Sequence, residues 1–457
     1  MMQKRNTKKY EMDMCSGSIL KKMVVFAVPL MCSGILQLLF NAADVIVVGR
    51  FAGDNSLAAV GTTTSLIHLL TNLFIGLSVG GNVLVARYYG AKKEQDLTET
   101  IHTAIALSLV SGIFLTIVGI VGAPKVLSLM STPPEVFDKA VLYLRIYFTG
   151  MTATMVYNFG SAIMRAVGDT KRPLYFLMAA GIINVCLNLI FVIRFKMDVA
   201  GVGLATVISQ IVSAVLIVKC LMENEGFLKL KLKLVRFTGN KLSQIVKIGL
   251  PAGLQGTLFS LSNVVIQSSI NSFGATVVAG SAAAANVEGF GYVAMNAFHQ
   301  AAISFTSQNV GAEKYERVNK ILIRALGCAA VVGLVFAGLM LAGGRQVLGL
   351  YTSSSEVIDA GMVRIYMVPT TYFIAGMMDV FVGSLRGLGY SVVPMIVSLL
   401  GVCGIRILWI WTVFPLEAFH NPYMIYITYP LTWVITTTAH FISFVIIRRK
   451  LARKWGL

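Results

Sequence analysis

Residues 23–49, MVVFAVPLMCSGILQLLFNAADVIVVG, decide the fold. The run stays apolar for longer than the roughly 20 residues a helix needs to cross the hydrocarbon core of a bilayer. It carries one acid, Asp44, with Asn41, Gln37 and Ser33 at helical intervals before it. These four make a polar stripe, while Leu36, Leu39, Ile46 and Val47 point elsewhere. A carboxylate costs several kcal/mol inside a membrane, so such a stripe faces a polar interior and marks an ion or substrate site. The plainer reading is an ion pair with a neighbouring Arg such as Arg50.

The rest of the chain agrees with this stretch. Of 457 residues, 56% are hydrophobic and 13% charged, with mean hydropathy +0.77, which together exclude an ordinary soluble domain. The first apolar run is too long for a signal peptide and is followed by many others. A net charge of +18 could suit nucleic acid, but the Lys and Arg residues flank apolar runs instead of forming a basic domain. They report topology. The basic start, with Lys4, Arg5, Lys8, Lys9, Lys21 and Lys22, predicts a cytoplasmic N-terminus, and twelve spans return the C-terminus to the same side. Six cysteines without a CxxC or Cys/His cluster indicate neither disulfides nor zinc.

Apolar runs between polar breaks predict spans over 23–49, 56–88, 98–122, 137–160, 173–194 and 199–222, then 244–272, 278–309, 317–342, 357–384, 392–414 and 423–447. The expected organisation is a basic tail (1–22), an N-lobe (23–222), a cytoplasmic linker (223–243), a C-lobe (244–447) and a second basic tail (448–457). The halves also resemble each other in sequence. AVPL at 27–30 recurs as IGLP at 248–251, YYGAKKEQDL at 88–97 as NVGAEKYERV at 309–318, and LRIY at 144–147 as VRIY at 363–366. IMRAVGDTKRP at 163–173 likewise returns as SLRGLGYSVVP at 384–394. A six-span repeat in one orientation predicts two pseudo-symmetric all-α bundles and a secondary transporter working by alternating access.

With Pro29 and Asp44 in the first span, Gly-Ala plus charge after spans two and eight, and Arg-x-x-Gly after spans four and ten, residues 18–447 resemble the multidrug and toxic compound extrusion (MATE) family. The resemblance implies an antiporter in the bacterial inner (plasma) membrane, exporting small amphipathic, mainly cationic drugs. It implies no organic cofactor and a monomer in the lipid bilayer. The family's N-lobe ion site resembles Asp44, with Asn184, Asn188 and Thr206. Asn188 stands where the family has a second acid, so the expected coupling ion is a proton on Asp44, with sodium at Asp44 as the alternative and Pro29 as a bending point. Gln37 and Asn41 complete the expected ion-coupling set. Helix-to-helix hydrogen bonding is the plainer role for the two Asn residues.

The C-lobe offers different chemistry. Span seven has no acid but a neutral stripe of Ser260, Asn263, Gln267 and Asn271. Glu288 shares a face with Tyr292, Met295 and His299, a mix suited to varied hydrophobic cations. Its structural alternative is a pair with His299 or a C-lobe Arg. Asp379, two turns before Arg386, is either a substrate contact or a local ion pair. The expected substrate set is therefore Glu288, Tyr292, Met295, His299, Asn263, Gln267 and Asp379. Single histidines such as His68, His102 and His440 are expected to satisfy nearby backbone or hydroxyl groups.

Enzyme motifs are absent: no Walker loop, dinucleotide fingerprint, zincin motif or nucleophile elbow occurs. A lipid-linked oligosaccharide flippase of the same superfamily is the nearest rival, but it calls for several cations in its cavity. A lipid-modifying enzyme calls for clustered Asp, Glu or His groups, and a channel for a filter sequence. Neither pattern is seen.

Overall fold

The structure, a computed structural model, describes residues 10–455, and all the regular secondary structure among those residues is helical. The first half comprises α1 (Ile19–Phe51), α2 (Asp54–Gly90), α3 (Glu94–Leu129), α4 (Pro134–Thr149), α5 (Met151–Ala166), α6 (Lys171–Asn188) and α7 (Asp198–Glu223). The second comprises α8 (Gly239–Asn271), α9 (Ala275–Gly311), α10 (Glu316–Gly349), α11 (Ser355–Met367), α12 (Tyr372–Gly387), α13 (Val392–Ser398), α14 (Ile405–Thr412), α15 (Pro422–Tyr426) and α16 (Thr428–Trp455). Lys4, Arg5, Lys8 and Lys9 of the expected basic tail lie outside the described residues.

These helices make twelve passages, and the chain is a multi-pass membrane protein. Among the described residues, nine helical stretches are long and apolar enough to cross a membrane. The expected span 137–160 is two sixteen-residue helices that meet at Gly150. A Cβ there would lie 2.2 Å from Gln210 Oε1, so the break allows α7 to approach closely. The long helices α8 and α9 carry more polar and small residues than the nine. Pro29 and Pro251 sit inside α1 and α8 without ending either helix.

The sequence repeat is also a backbone repeat. Gly53 and Gly274, Lys92 and Glu313, and Gly168 and Gly389 all adopt positive φ, and each pair is separated by the same interval, as 53 is from 274. Gly53 and Gly274 precede α2 and α9 at φ 86°, a conformation in which a side chain is strained. Two six-residue π-helical segments occur, Leu189–Arg194 after α6 and Leu399–Gly404 between α13 and α14.

The chain forms two compact units, and their borders differ from the expected lobes. One contains residues up to Asp13 together with Cys32–Gly253; the other contains Met14–Met31 and Leu254–Leu457. The start of α8 therefore belongs to the first unit. Small residues make this so: a Cβ on Gly76 would lie 2.2 Å from the Gly253 Cα, and one on Gly80 2.1 Å from the Ile245 carbonyl oxygen. In the second unit the start of α1 packs through Phe26, whose ring meets Phe305 edge-on at 5.7 Å.

Each unit also holds part of the segment before α1. In the first, Met12 N–H donates to Val167 O at 3.1 Å and Tyr89 Oη donates to Glu11 at 2.8 Å. In the second, Asn309 Nδ2 donates to Met14 O at 3.0 Å and Lys314 Nζ to Cys15 O at 2.9 Å. The expected linker 223–243 is laced to α3 of the first unit. Thr98 Oγ1 donates to Phe227 O at 3.1 Å, Lys231 N–H donates to His102 Nε2 at 3.0 Å, and Leu228 and Leu230 are buried. His102 Nδ1 faces Thr98 O at 2.6 Å, which places its proton on Nδ1.

Candidate functional site

In the first unit, α1, α6 and α7 bring four of the predicted residues together. Asn188 is the last residue of α6, immediately before the π-helical segment. Its Nδ2 donates to Asp44 Oδ1 and, at 3.2 Å, to Asn184 Oδ1. Asn184 Nδ2 donates in turn to Thr206 Oγ1 at 3.4 Å, and Thr206 donates to Val202 O at 2.9 Å. The four-residue spacing of the two Asn side chains stacks them on one face of α6, one turn apart.

Both Asn residues are buried and Asp44 is half-buried. No ion pair to Asp44 occurs among the described residues, and Arg50 is exposed. Gln37 and Asn41 share the stripe but are exposed, and no hydrogen bond among the described residues joins them to the cluster. Asn188 Oδ1 is buried without a hydrogen-bond partner. That leaves an acceptor on the very side chain that donates to the acid. The cluster can stabilise a carboxylate by donation, and a rotated Asn188 amide can accept from a protonated one.

The second unit holds its charges differently. Arg364 of α11 grips Glu288 of α9 through two parallel bonds, Nε to Oε1 at 2.7 Å and Nη2 to Oε2 at 2.8 Å, and donates from Nη1 to Ser281 at 2.9 Å. Glu288 is 5% exposed, so both its oxygens are occupied by this pair, the ion-pair alternative stated for it. It does not meet His299, whose Nδ1 lies 2.6 Å from the Asp379 carbonyl oxygen. Met295 is buried, and its sulfur lies 2.7 Å from where a Cβ on Gly376 would fall. Tyr292 is half exposed and accepts from Asn296 at 3.4 Å.

Asn263 and Gln267 of α8 are exposed, and Gln267 donates to Asn271 at 2.9 Å. Asp379 is half-buried, and Arg386 nearby donates to Gln255 at 2.8 Å. The predicted substrate residues are thus scattered along α8, α9 and α12 and are not joined by hydrogen bonds into one cluster. His440 meets Ser398 at 2.9 Å, a hydroxyl partner of the kind expected for it.

Sequence reading passed over Arg406, the second residue of α14, just after the second π-helical segment. It is 4% exposed, donates from Nε to Thr432 at 3.1 Å and lies 4.0 Å from the centre of the Tyr429 ring. The signal was a cation inside the apolar run GIRILWIWTVF at 404–414.

Comparisons with known proteins cover nearly the whole chain. The probable multidrug resistance proteins YoeA and YpnP of Bacillus subtilis (strain 168) are 24% and 27% identical. YoeA aligns over 91% of this chain and 94% of its own length, and YpnP over 86% and 88%. A solved structure described as the outward-facing conformation of a multidrug resistance MATE family transporter of the MOP superfamily shares the fold, with TM-score 0.90 and 21% identity over 96% of this chain and 98% of that one. The family model described as MatE matches residues 29–190 and again 251–412, one match in each half. The two matches begin at Pro29 and Pro251 and carry the repeat read from the sequence; the chain belongs to the multidrug and toxic compound extrusion (MATE) family, whose members are transporters and not enzymes.

Proposed function

We propose that this protein is a proton-coupled antiporter of the plasma membrane that exports amphipathic, mainly cationic compounds, with both termini in the cytoplasm. One observation carries the reading: Asp44 sits alone among neutral partners, with Asn188 Nδ2 donating to it and a second Asn188 atom, Oδ1, free to accept. A single carboxylate has one charge to give, which suits a proton. Sodium asks for several hard oxygen ligands, and here the Asn184 oxygen is already taken by Asn188 and the Thr206 hydroxyl by Asn184.

In this cycle a proton from outside neutralises Asp44, the Asn188 amide turns to accept from it, and the drug leaves; loss of the proton inside restores the first arrangement. Coupling requires that proton and drug prefer different conformations, since equal affinity for both shifts nothing. The names of the relatives support the drug class, and the +18 charge at the ends of apolar runs supports the orientation.

The test is ethidium efflux from proteoliposomes under a proton gradient and, separately, a sodium gradient. Proton-driven efflux that vanishes in Asp44→Asn is expected. Efflux that persists in this variant would refute the assignment, and sodium-driven efflux lost in it would replace the proton with sodium.

A further inference from the structure

Buried charge does not balance in the second unit. Arg364 and Glu288 neutralise each other through a two-bond fork, while Arg406, equally deep, forms no ion pair among the described residues. The Tyr429 ring lies 5.7 Å from the Arg364 guanidinium and 4.0 Å from that of Arg406, so one aromatic ring serves two cations. The Trp433 ring stands 5.7 Å from Arg406. Arg406 Nη2 is buried with no hydrogen-bond partner. A guanidinium keeps its charge at any pH a protein meets, so this one cannot escape the cost of burial by losing a proton. A hydroxyl and two ring faces offset only part of that cost.

We propose that Arg406 is the centre of an anion site in the second unit, which takes a small monoanionic acceptor on its free Nη2 beside the Tyr429 ring. The group is either chloride or the carboxylate of a transported aromatic compound. In the second case the substrates include zwitterions as well as cations, a statement that rests on the efflux reading above. The fit is chemical: a buried positive charge without an ion-pair partner calls for a negative one, and a planar fork next to an aromatic ring suits a carboxylate joined to a ring. The π-helical turn Leu399–Gly404 just before Arg406 widens the helix there, a distortion that often accompanies functional sites.

Rhodamine 110 and rhodamine 123 make a matched pair, because the second is the methyl ester of the first and lacks its carboxylate. Efflux of both is measured from proteoliposomes holding the wild type, Arg406→Gln or Arg406→Lys. In a second arm, the purified proteins are melted in chloride and in gluconate at equal ionic strength. If the anion is the substrate's carboxylate, the ratio of rhodamine 110 to rhodamine 123 efflux falls about tenfold in Arg406→Gln, about 1.4 kcal/mol. Arg406→Lys, which keeps the charge without the fork, falls between.

If the anion is inorganic, chloride raises the melting midpoint of the wild type above that in gluconate, and Arg406→Gln loses the rise. An unchanged dye ratio together with no chloride effect on the wild type overturns the proposal. If neither dye leaves wild-type vesicles that do export ethidium, the substrate-carboxylate case falls; if ethidium too is retained, the efflux reading fails, and in both cases the chloride arm still decides on the anion site. Should Arg406→Gln not fold, Arg406→Lys supplies both comparisons.

Discussion

Asn188 donates to Asp44 across 144 residues of sequence, tying the end of α6 to α1 through the single acid of the cluster. The same Asn188 nitrogen also reaches Asn184, so an acid at 188 would remove both bonds and set two carboxylates side by side. A cation relieves that repulsion. Asn188→Asp is expected to raise sodium-gradient-driven ethidium efflux at least about threefold over wild type, or about 0.7 kcal/mol. Equal sodium-driven rates in proteoliposomes would show that the second carboxylate does not decide the ion.

The Glu288–Arg364 pair makes a different demand, since removing one partner strands the other in a buried place. Glu288→Ala and Arg364→Ala should each destabilise the protein by about 3–5 kcal/mol. The double variant Glu288→Leu/Arg364→Met should cost clearly less than the two single changes together. Unfolding in detergent micelles measures all three, and additive losses would mean that the pair is not a unit.

Close helix contact predicts a sharp difference between two glycines of α2. A Cβ on Gly76 would lie 2.2 Å from the Gly253 Cα, whereas one on Gly61 would meet nothing within 4 Å. Gly76→Ala should therefore cost about 1–3 kcal/mol or more through overpacking, and Gly61→Ala should cost little. Melting midpoints of the two purified variants provide the check.

The linker clamp can be read by proteolysis. His102 accepts from Lys231 N–H, and its loss frees one side of a segment that carries Lys229, Lys231 and Lys233. His102→Ala should increase tryptic cleavage there about fivefold, as expected for losing one hydrogen bond of about 1 kcal/mol. Cleavage at the wild-type rate would show that Thr98 and the buried Leu228 and Leu230 hold the linker without His102.

Most of the fold was legible because long apolar runs and their repeat survive any local exception. The break at Gly150 was not, since neither a charge nor a Pro marks it and the residues packed against that glycine, Gln210 and Val207, lie on another helix. In the first unit, the resemblance supplied Asn184, Asn188 and Thr206, and their spacing agreed. Gln37 and Asn41 show the limit of a polar stripe: helical periodicity gives a face, not what that face meets. Glu288 and Arg364 were both visible as charges inside spans, yet they are 76 residues apart and periodicity along one helix cannot pair them. Arg406 was visible in the same way, without any local pattern to set it beside Tyr429.

The two places where the long helices pass from one unit to the other, after Met31 and after Gly253, also fix the order in which the protein can be completed during synthesis. The first unit lacks its last fifteen residues until the ribosome has passed the polar linker and made the opening turns of α8. The second unit begins with eighteen residues, Met14–Met31, that leave the ribosome long before their partners and must wait for α9. Neither half of the chain, cut at the linker, contains a whole unit. A gene split there would yield two fragments, each holding a piece that only the other can bury.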